Sequence, residues 1–267
     1  MTAVAHEPLL EARGLSISFG GLTAVEDFSL TLPAGKLYGL IGPNGAGKTT
    51  VFNLLTGVYQ PDAGQLTLGG RQLTGLAPHE VAAVGIARTF QNIRLFRELS
   101  ALDNVRLAGQ LRTRTSLLDT LVRTGRHHSE EEALRRHSLE LLDLFELSDR
   151  ALAPSASLSY GHQRHLEIVR ALATRPQVLL LDEPAAGLNS QEKRELTTSI
   201  RNLCDRFGVA ILLIDHDMRL VMDLCERITV LDHGATIAEG PPAAIQNDPE
   251  VIAAYLGTDH AVAPHST

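Results

Sequence analysis

Two hydrophobic patterns alternate along most of the chain. Continuous apolar runs of strand length occupy residues 36–41, 178–181 and 209–214, and stretches with helical periodicity lie between and after them. Buried strands separated by helices are typical of a parallel sheet that is covered on both faces. The pattern therefore predicts an α/β fold, with helices over residues 49–56, 159–174, 191–207, 218–226 and a short one after Asp248.

Other segments show a strand pattern with turn residues. Residues 9–32 alternate short apolar pieces with glycines and predict an N-terminal antiparallel β element. Hairpins are predicted at residues 65–73, where Gly69 and Gly70 supply the turn, and at residues 228–237, which turn near His233.

A helical insertion is predicted in the middle of the chain. Strand-like residues 86–90 precede a strongly helical region that runs to about residue 147. Within it, Ser129 is a candidate N-cap, because three glutamates follow where the helix dipole favours negative charge. We interpret residues 92–157 as a helical subdomain inserted into the core.

Size and composition limit the possible classes of protein. A chain of 267 residues that is 44% hydrophobic can bury one substantial core, so we predict a single domain over residues 8–257 and a flexible tail over residues 258–267. The net charge of −7 argues against a protein that coats nucleic acid. Cys204 and Cys225 lack metal-ligand spacing and are expected to be reduced packing residues.

No targeting or membrane-spanning segment is expected. The first residues lack the basic start and long apolar stretch of a secretory signal. The apolar runs are far shorter than the roughly 18 to 20 residues that a transmembrane helix requires. Any association with a membrane would therefore need a partner.

The loop GPNGAGKT at residues 42–49 fits the pattern GxxxxGK[ST] between a strand and a helix start. Glycines allow successive N–H groups to face phosphate oxygens, Lys48 would hold the β and γ phosphates, and Thr49 would bind Mg²⁺. A purely structural glycine turn is the alternative. We predict that ATP and Mg²⁺ bind at Gly42, Pro43, Asn44, Gly45, Ala46, Gly47, Lys48, Thr49 and Thr50.

The run VLLLDEP places two acids at the carboxyl end of a buried strand. Ligands of parallel α/β sheets bind at this edge, so Asp182 is predicted to bind Mg²⁺ and Glu183 to activate the attacking water. Ordinary loop acids or a helix cap would show the same local pattern.

In LSYGHQR, Ser159 and Gly161 open a helix. They could form an anion site, or Ser159 could be only an N-cap.

The ordered series GPNGAGKTT, RTFQN, LSYGHQ, VLLLDEP and LLIDHDM resembles the ATP-binding subunits of ATP-binding cassette (ABC) transporters from about Leu9 to Leu256. The resemblance implies a P-loop NTPase (RecA-like) core. It also implies a second ATP-binding subunit, homologous or identical, whose phosphate loop is completed by Ser159 and Gly161 across a dimer interface.

The same resemblance implies roles for three further residues. Gln91 would sense the γ phosphate, Mg²⁺ and the membrane subunit; His216 would contact the γ phosphate; and Phe19 would stack on adenine. From the residues alone, Gln91 could be a solvated polar residue, His216 a helix cap and Phe19 a core aromatic.

Three positions depart from the usual pattern of this family. His162 stands where glutamine is usual, Asn189 where many members have aspartate, and Phe19 where tyrosine is commoner. Because Lys48 and Glu183 are intact, we still expect hydrolysis. The departure at Asn189 leaves open how hydrogen bonds form across the dimer near this residue.

Three further segments indicate which solute the transporter would carry. RTFQNIRLFRELSALDNV, AAGLN and VIAAYLG are similar to LivG-type subunits of branched-chain amino acid importers. This implies permease subunits, an indirect solute-binding protein, no nucleic acid partner, and a peripheral position on the cytoplasmic face of the cell membrane. Urea, small amides and other amino acids remain alternative solutes, because no ATPase subunit touches the solute.

Two other functions fit part of the pattern. A soluble ABC protein of DNA repair or translation would resemble a coiled-coil or tandem-cassette chain, whereas here only about 66 residues separate Gln91 from Leu158. A nucleotide-binding regulator without turnover is disfavoured by Glu183. A basic segment is interpreted as a solvated surface or as a face near the membrane subunit or acidic lipid; it contains Arg106, Arg112, Arg114, Arg123, Arg126, His127 and His128.

Overall fold

A computed structural model describes residues 8–112 and 125–259 of the protein. A four-stranded antiparallel sheet has the strand order β2-β1-β4-β5 and confirms the predicted N-terminal β element. Its strands are β1 (Pro8–Phe19), β2 (Leu22–Pro33), β4 (Ala63–Leu68) and β5 (Arg71–Gln72).

The central sheet has six strands in the order β10-β9-β3-β8-β7-β6. All neighbouring pairs are parallel except β9 with β10, which form the predicted C-terminal hairpin. The strands are β3 (Leu37–Ile41), β6 (Ile86–Arg88), β7 (Val178–Asp182), β8 (Ala210–Ile214), β9 (Arg227–Asp232) and β10 (Ala235–Gly240).

Nine α-helices lie in the described part of the chain. They are α1 (Lys48–Leu55), α2 (Pro78–Val84), α3 (Ala101–Gly109), α4 (Gly125–Asp143), α5 (Tyr160–Ala173), α6 (Ser190–Phe207), α7 (Met218–Leu224), α8 (Pro242–Gln246) and α9 (Pro249–Asp259). Among the described residues, no helix is both long and apolar enough to cross a bilayer.

Strand β7 shows why the sheet is buried on both faces. Leu179 and Leu181 belong to a core shared with α3 to α7, whereas Val178 and Leu180 belong to a second core shared with α1 and the N-terminal sheet. Successive side chains of a strand point to opposite faces, so a continuous apolar run supplies both cores at once. The two cores hold the carboxyl ends of the parallel strands in fixed positions.

Several details differ from the prediction. Helix α4 begins at Gly125, so Ser129 lies inside it and the predicted N-cap was wrong. The glutamates after Ser129 are favourable inside a helix as well as in its first turn, and the sequence did not distinguish the two. Helix α9 continues to Asp259, two residues into the predicted tail, and the rest of the tail lies outside the described residues.

The sequence analysis also missed α2 and α8. Both begin with a proline at a position where a helix needs no N–H donor, and this is a recognisable start signal. In the basic segment, Arg106 forms ion pairs with Asp103 and Glu131. The chain from 113 to 124, with Arg114 and Arg123, lies outside the described residues.

Candidate active site

A cleft of about 490 Å³ lies at the carboxyl edge of the central sheet. The phosphate loop follows β3, Asp182 ends β7 with Glu183 directly after it, and Gln91 follows β6, so strands of the same sheet deliver all these groups to its carboxyl edge. Residues that line the cleft and were predicted from the sequence are Asn44, Gly45, Ala46, Gly47, Lys48, Thr49, Thr50, Gln91, Asp182 and Glu183.

The phosphate loop requires glycine at specific points. Gly42 has φ 150°, and a Cβ atom there would lie 2.0 Å from the carbonyl oxygen of Leu231. Gly47 has φ 100°, and its Cβ would lie 2.6 Å from the carbonyl oxygen of Ala24. Because no side chain fits at either position, these glycines let the loop pack against its neighbours and open directly into α1. The free N–H groups at the start of α1 make this end suitable for an anion.

Lys48 lies in the cleft with its ammonium group held by the loop itself. Its Nζ donates hydrogen bonds to the carbonyl oxygens of Gly42 and Pro43, at 2.7 and 2.8 Å. Burial lowers the pKa of Lys48, while the charges of Glu183 and Asp182 oppose that change. A partly desolvated cation thus lies in the cleft, where an anionic ligand would interact with it strongly.

Asp182 is almost fully buried at the end of β7. Its Oδ2 accepts a hydrogen bond from Nη2 of Arg88 at 2.6 Å, and its N–H donates to Oγ1 of Thr89 at 3.1 Å. Arg88 also donates from Nη1 to Oδ1 of Asn53 at 2.6 Å. The sequence analysis missed Arg88, because 94 residues separate it from Asp182 and no local pattern links the two.

Glu183 has a strained backbone and polar neighbours. Its φ of 47° is unusual for a residue with a side chain, and strain of this kind concentrates at functional sites. Its Oε2 accepts a hydrogen bond from Nε2 of Gln91 at 3.1 Å and lies 3.8 Å from Nδ1 of His216. The structure therefore brings together the three residues predicted to be catalytic.

His216 follows β8 and is mostly exposed, while its neighbour Asp215 is buried. Asp215 accepts hydrogen bonds from the N–H groups of Ala185 and Asp217, at 3.3 and 2.9 Å, and burial raises its pKa. Asp215 thereby joins the loop after Glu183 to the loop that carries His216. Sequence analysis also missed this residue, although its place at the end of β8 was a usable signal.

Phe19 lies outside the residues that line the cleft. It is 45% exposed and packs edge to face on Tyr59, with ring centroids 5.1 Å apart. Leu22 and Ala24, just after the turn that follows Phe19, do line the cleft. Phe19 is therefore a surface aromatic near one end of the cleft. The alternative of a core aromatic was wrong.

Ser159 and Gly161 also lie outside the residues that line the cleft. Ser159 is the N-cap of α5 and accepts a hydrogen bond from the N–H of His162 at 3.3 Å. A Cβ at Gly161 would lie 2.6 Å from Oε1 of Glu192, so this glycine lets α5 approach α6 closely. Within one chain, these two residues are built into a helix start and do not join Lys48 or Glu183.

A family model described as ABC transporter matches residues 25–186, which is more than half of the chain. The chain belongs to the ABC transporter family. It is an ATPase of this family, with the α/β cassette fold expected from the sequence. A second model, described as branched-chain amino acid ATP-binding cassette transporter, matches residues 235–261.

Two curated ABC proteins are similar over nearly their whole length. The high-affinity branched-chain amino acid transport ATP-binding protein BraF of Pseudomonas aeruginosa is 46% identical over 94% of this chain and 98% of its own. LivG of Escherichia coli K12, described by the same transport function, is 45% identical with the same coverage.

Two solved structures show similar cassettes. The ADP conformation of MJ1267, an ATP-binding cassette of an ABC transporter, has a TM-score of 0.81 and 29% identity, and covers 94% of this chain and 99% of its own. A dimeric post-hydrolysis state of the cassette MJ0796, bound to ADP and Pi, has a TM-score of 0.73 and 25% identity, over 87% of this chain and 98% of its own.

The oxygen atoms in the cleft of this ABC ATPase suit Mg²⁺. Thr49, Gln91 and Asp182 all line it, and the Arg88 ion pair uses only one carboxylate oxygen of Asp182. The described residues contain no cluster of three or more His, Cys, Asp or Glu side chains that could hold a metal. Mg²⁺ commonly binds through one or two protein oxygens and takes its other ligands from phosphates and water, so this set fits it.

Proposed function

We propose that this ABC ATPase hydrolyses ATP to drive an importer of branched-chain amino acids. The observation that carries the proposal is the convergence of Lys48, Asp182 and Glu183 in one cleft after two strands of the central sheet. The choice of solute is supported by the family model that matches residues 235–261 and by the described function of the BraF and LivG relatives.

In this proposal each group in the cleft has a defined role. Lys48 and the N–H groups of residues 42–50 hold the phosphates, and Glu183 takes a proton from the attacking water. Gln91 and His216, both within 4 Å of the Glu183 carboxylate, orient that water and contact the γ phosphate. Thr49, Gln91 and Asp182 would hold Mg²⁺, which when bound would supply positive charge beside the phosphates. Phe19 would stack on adenine at the end of the cleft.

A second ATP-binding subunit, identical or related, would complete the site. Ser159 presents a helix start whose N–H groups suit an anion, yet it does not line the cleft of its own chain. The dimeric structure of MJ0796 supports an arrangement in which two cassettes face each other. Ser159 and Gly161 of one subunit would then contact the ATP bound by the other.

The remaining partners would be membrane proteins. A transport ATPase without a described spanning helix needs permease subunits to act on a solute, and we place it on the cytoplasmic face of the cell membrane as a peripheral subunit. A solute-binding protein would act indirectly, through the permease. ATP-driven closure of the cassette dimer would move the permease, and hydrolysis would reopen it.

Reconstitution in lipid vesicles tests the proposal. The ATPase would be assembled with its permease and solute-binding protein, and ATP hydrolysis measured with leucine, isoleucine, valine, urea or a small amide added. We expect the three branched-chain amino acids to stimulate hydrolysis, and a Glu183→Gln complex, the matched control, to remain inactive. Stimulation by urea or amides alone would contradict the proposed solute, and activity of the Glu183→Gln complex would contradict the proposed base.

A further inference from the structure

Arg88 joins three elements that carry catalytic groups. It ends β6, three residues before Gln91, and its two terminal nitrogens bind different partners. One partner is Asn53 in α1, the helix that begins at Lys48, and the other is Asp182 at the end of β7; both distances are 2.6 Å. A single guanidinium therefore fixes the spacing between the phosphate loop helix and the acid predicted to bind Mg²⁺.

The surroundings of Arg88 restrict its movement. Its side chain is only 10% exposed and that of Asp182 only 8%. The guanidinium carbon lies 5.4 Å from the ring centroid of Phe52 and 5.6 Å from that of Phe90, within the range of a cation–π interaction. Burying an ion pair costs desolvation energy, and such pairs bring little net stability. We therefore expect this ion pair to serve mainly to hold the Asp182 carboxylate in place.

No described cation that lines the cleft makes this contact with Asp182. Lys48 donates to two carbonyl oxygens of its own loop instead of to Asp182. A lysine at position 88 would present one ammonium group, whereas the planar fork of arginine can reach Asn53 and Asp182 together. The arrangement thus depends on arginine rather than on positive charge alone.

Arg88 also borders a second cavity, which shares no lining residue with the nucleotide cleft. This cavity is lined largely by apolar groups and lies between α2, β6 and α5, with Val81, Phe90 and Ala171 among its walls. Arg88 thus both borders this cavity and pairs with Asp182. A shift of the β6 end would be passed to the Asp182 carboxylate through the ion pair.

We propose that Arg88 is a positioning residue that holds the Asp182 carboxylate in register with the phosphate loop helix during ATP hydrolysis. The proposal rests on the proposed hydrolytic function of the cleft. It assigns to Arg88 an effect on turnover that is larger than its effect on ATP affinity, since the residues that hold the phosphates stay in place.

The first test is a double-mutant cycle on the nucleotide-free protein, with Arg88→Gln, Asp182→Asn and the double variant followed by thermal unfolding. Removing one partner leaves a buried charge unpaired, so we expect Arg88→Gln to lower Tm by about 5 °C or more. The double variant should lose clearly less than the sum of the two single losses. Additive losses would overturn the proposed ion pair.

The second test separates positioning from stability, and it also applies if Arg88→Gln does not fold. Arg88→Lys keeps the charge and should keep Tm within a few degrees of the wild type, yet lower kcat by about tenfold with KM for ATP within about threefold. Asn53→Ala should lower kcat in the same way. Wild-type kcat in both variants would overturn the proposal.

A matched control is Arg106→Gln. Arg106 also pairs with two acceptors, Asp103 and Glu131, and its Nε, like that of Arg88, is buried without a hydrogen-bond partner among the described residues. It lies outside the cleft, so kcat should not change. Glu183→Gln is measured in parallel: if that variant hydrolysed ATP, the hydrolytic assignment itself would fail, independently of Arg88.

Discussion

The nucleotide cleft and the start of α5 differ in how their polar groups are satisfied. In the cleft, Glu183 contacts Gln91 and His216, and Asp182 contacts Arg88. At the start of α5, Ser159 caps its own helix. The first region thus has the interactions of a reaction site within one chain, whereas the second has a helix start that lacks its reaction partners. This contrast is what the proposed composite site requires, in which one chain supplies half of each reaction site.

The largest expected effect on ATP hydrolysis comes from a substitution in the nucleotide cleft. Glu183→Gln keeps the shape of the side chain and removes its basicity, so hydrolysis should fall by about 10³-fold. ATP should still induce dimerisation, because the phosphate loop is unchanged. Steady-state ATPase assays and size-exclusion chromatography with ATP measure the two properties. Glu226→Gln, at an exposed residue paired with Lys36, is the control and should retain full activity.

The next largest effect on ATP hydrolysis is expected from a substitution at the start of α5. Ser159→Arg places a bulky side chain at a helix start that we expect to face ATP of the second subunit, so hydrolysis should fall by about 10²-fold. Binding of ATP to the monomer should persist, measured by equilibrium dialysis. Ser148→Arg, at an exposed serine within residues 92–157, should hydrolyse ATP normally. Normal ATP turnover by Ser159→Arg would contradict the proposal that Ser159 contacts ATP bound by the second subunit.

A smaller effect concerns the pH dependence of stability around α5. His165 is buried against Phe145, and burial, assisted by the charge of His162, lowers its pKa below the usual 6.5. The unfolded chain then binds a proton that the folded chain does not, so His165 makes stability fall as pH decreases below about 6.5.

Thermal unfolding at pH 7.5 and 5.5 measures this contribution. His165→Phe removes the titrating group and should show a smaller loss of Tm between the two pH values than the wild type does. Glu192 and Glu195 face the same site and oppose the shift, and they are present in both proteins. An equal or larger loss in the variant would contradict the assignment of the pH effect to His165.

The smallest effect is at Asn189, where many family members have aspartate. Its Oδ1 accepts hydrogen bonds from the N–H groups of Gln191 and Glu192, at 2.9 and 3.0 Å, so it is a complete N-cap of α6. Asn189→Ala should cost about 1 kcal/mol of unfolding free energy, measured with urea, while Asn189→Asp should cost almost nothing. An equal loss in both variants would show that the cap contributes nothing.

Many residues that line the cleft could be named from the sequence because their pattern is local. The spacing of residues 42–49 and the position of Asp182 after an apolar run are properties of neighbouring residues. The ion pair between Arg88 and Asp182 could not be predicted in this way, because it depends on β6 and β7 lying side by side. The predicted N-cap at Ser129 was wrong for another reason: the glutamates that follow it fit the interior of a helix as well as its first turn.

The most direct test of the composite site is a mixing experiment with Lys48→Ala and Ser159→Arg, under conditions in which Glu183→Gln dimerises with ATP. Each variant alone should be nearly inactive. A mixed dimer contains one site in which Lys48 of one chain faces Ser159 of the other, both intact, so mixing should restore up to about a quarter of wild-type ATPase activity, as random pairing of two half-sites predicts. Activity of the mixture equal to the mean of the two separate variants would contradict the account.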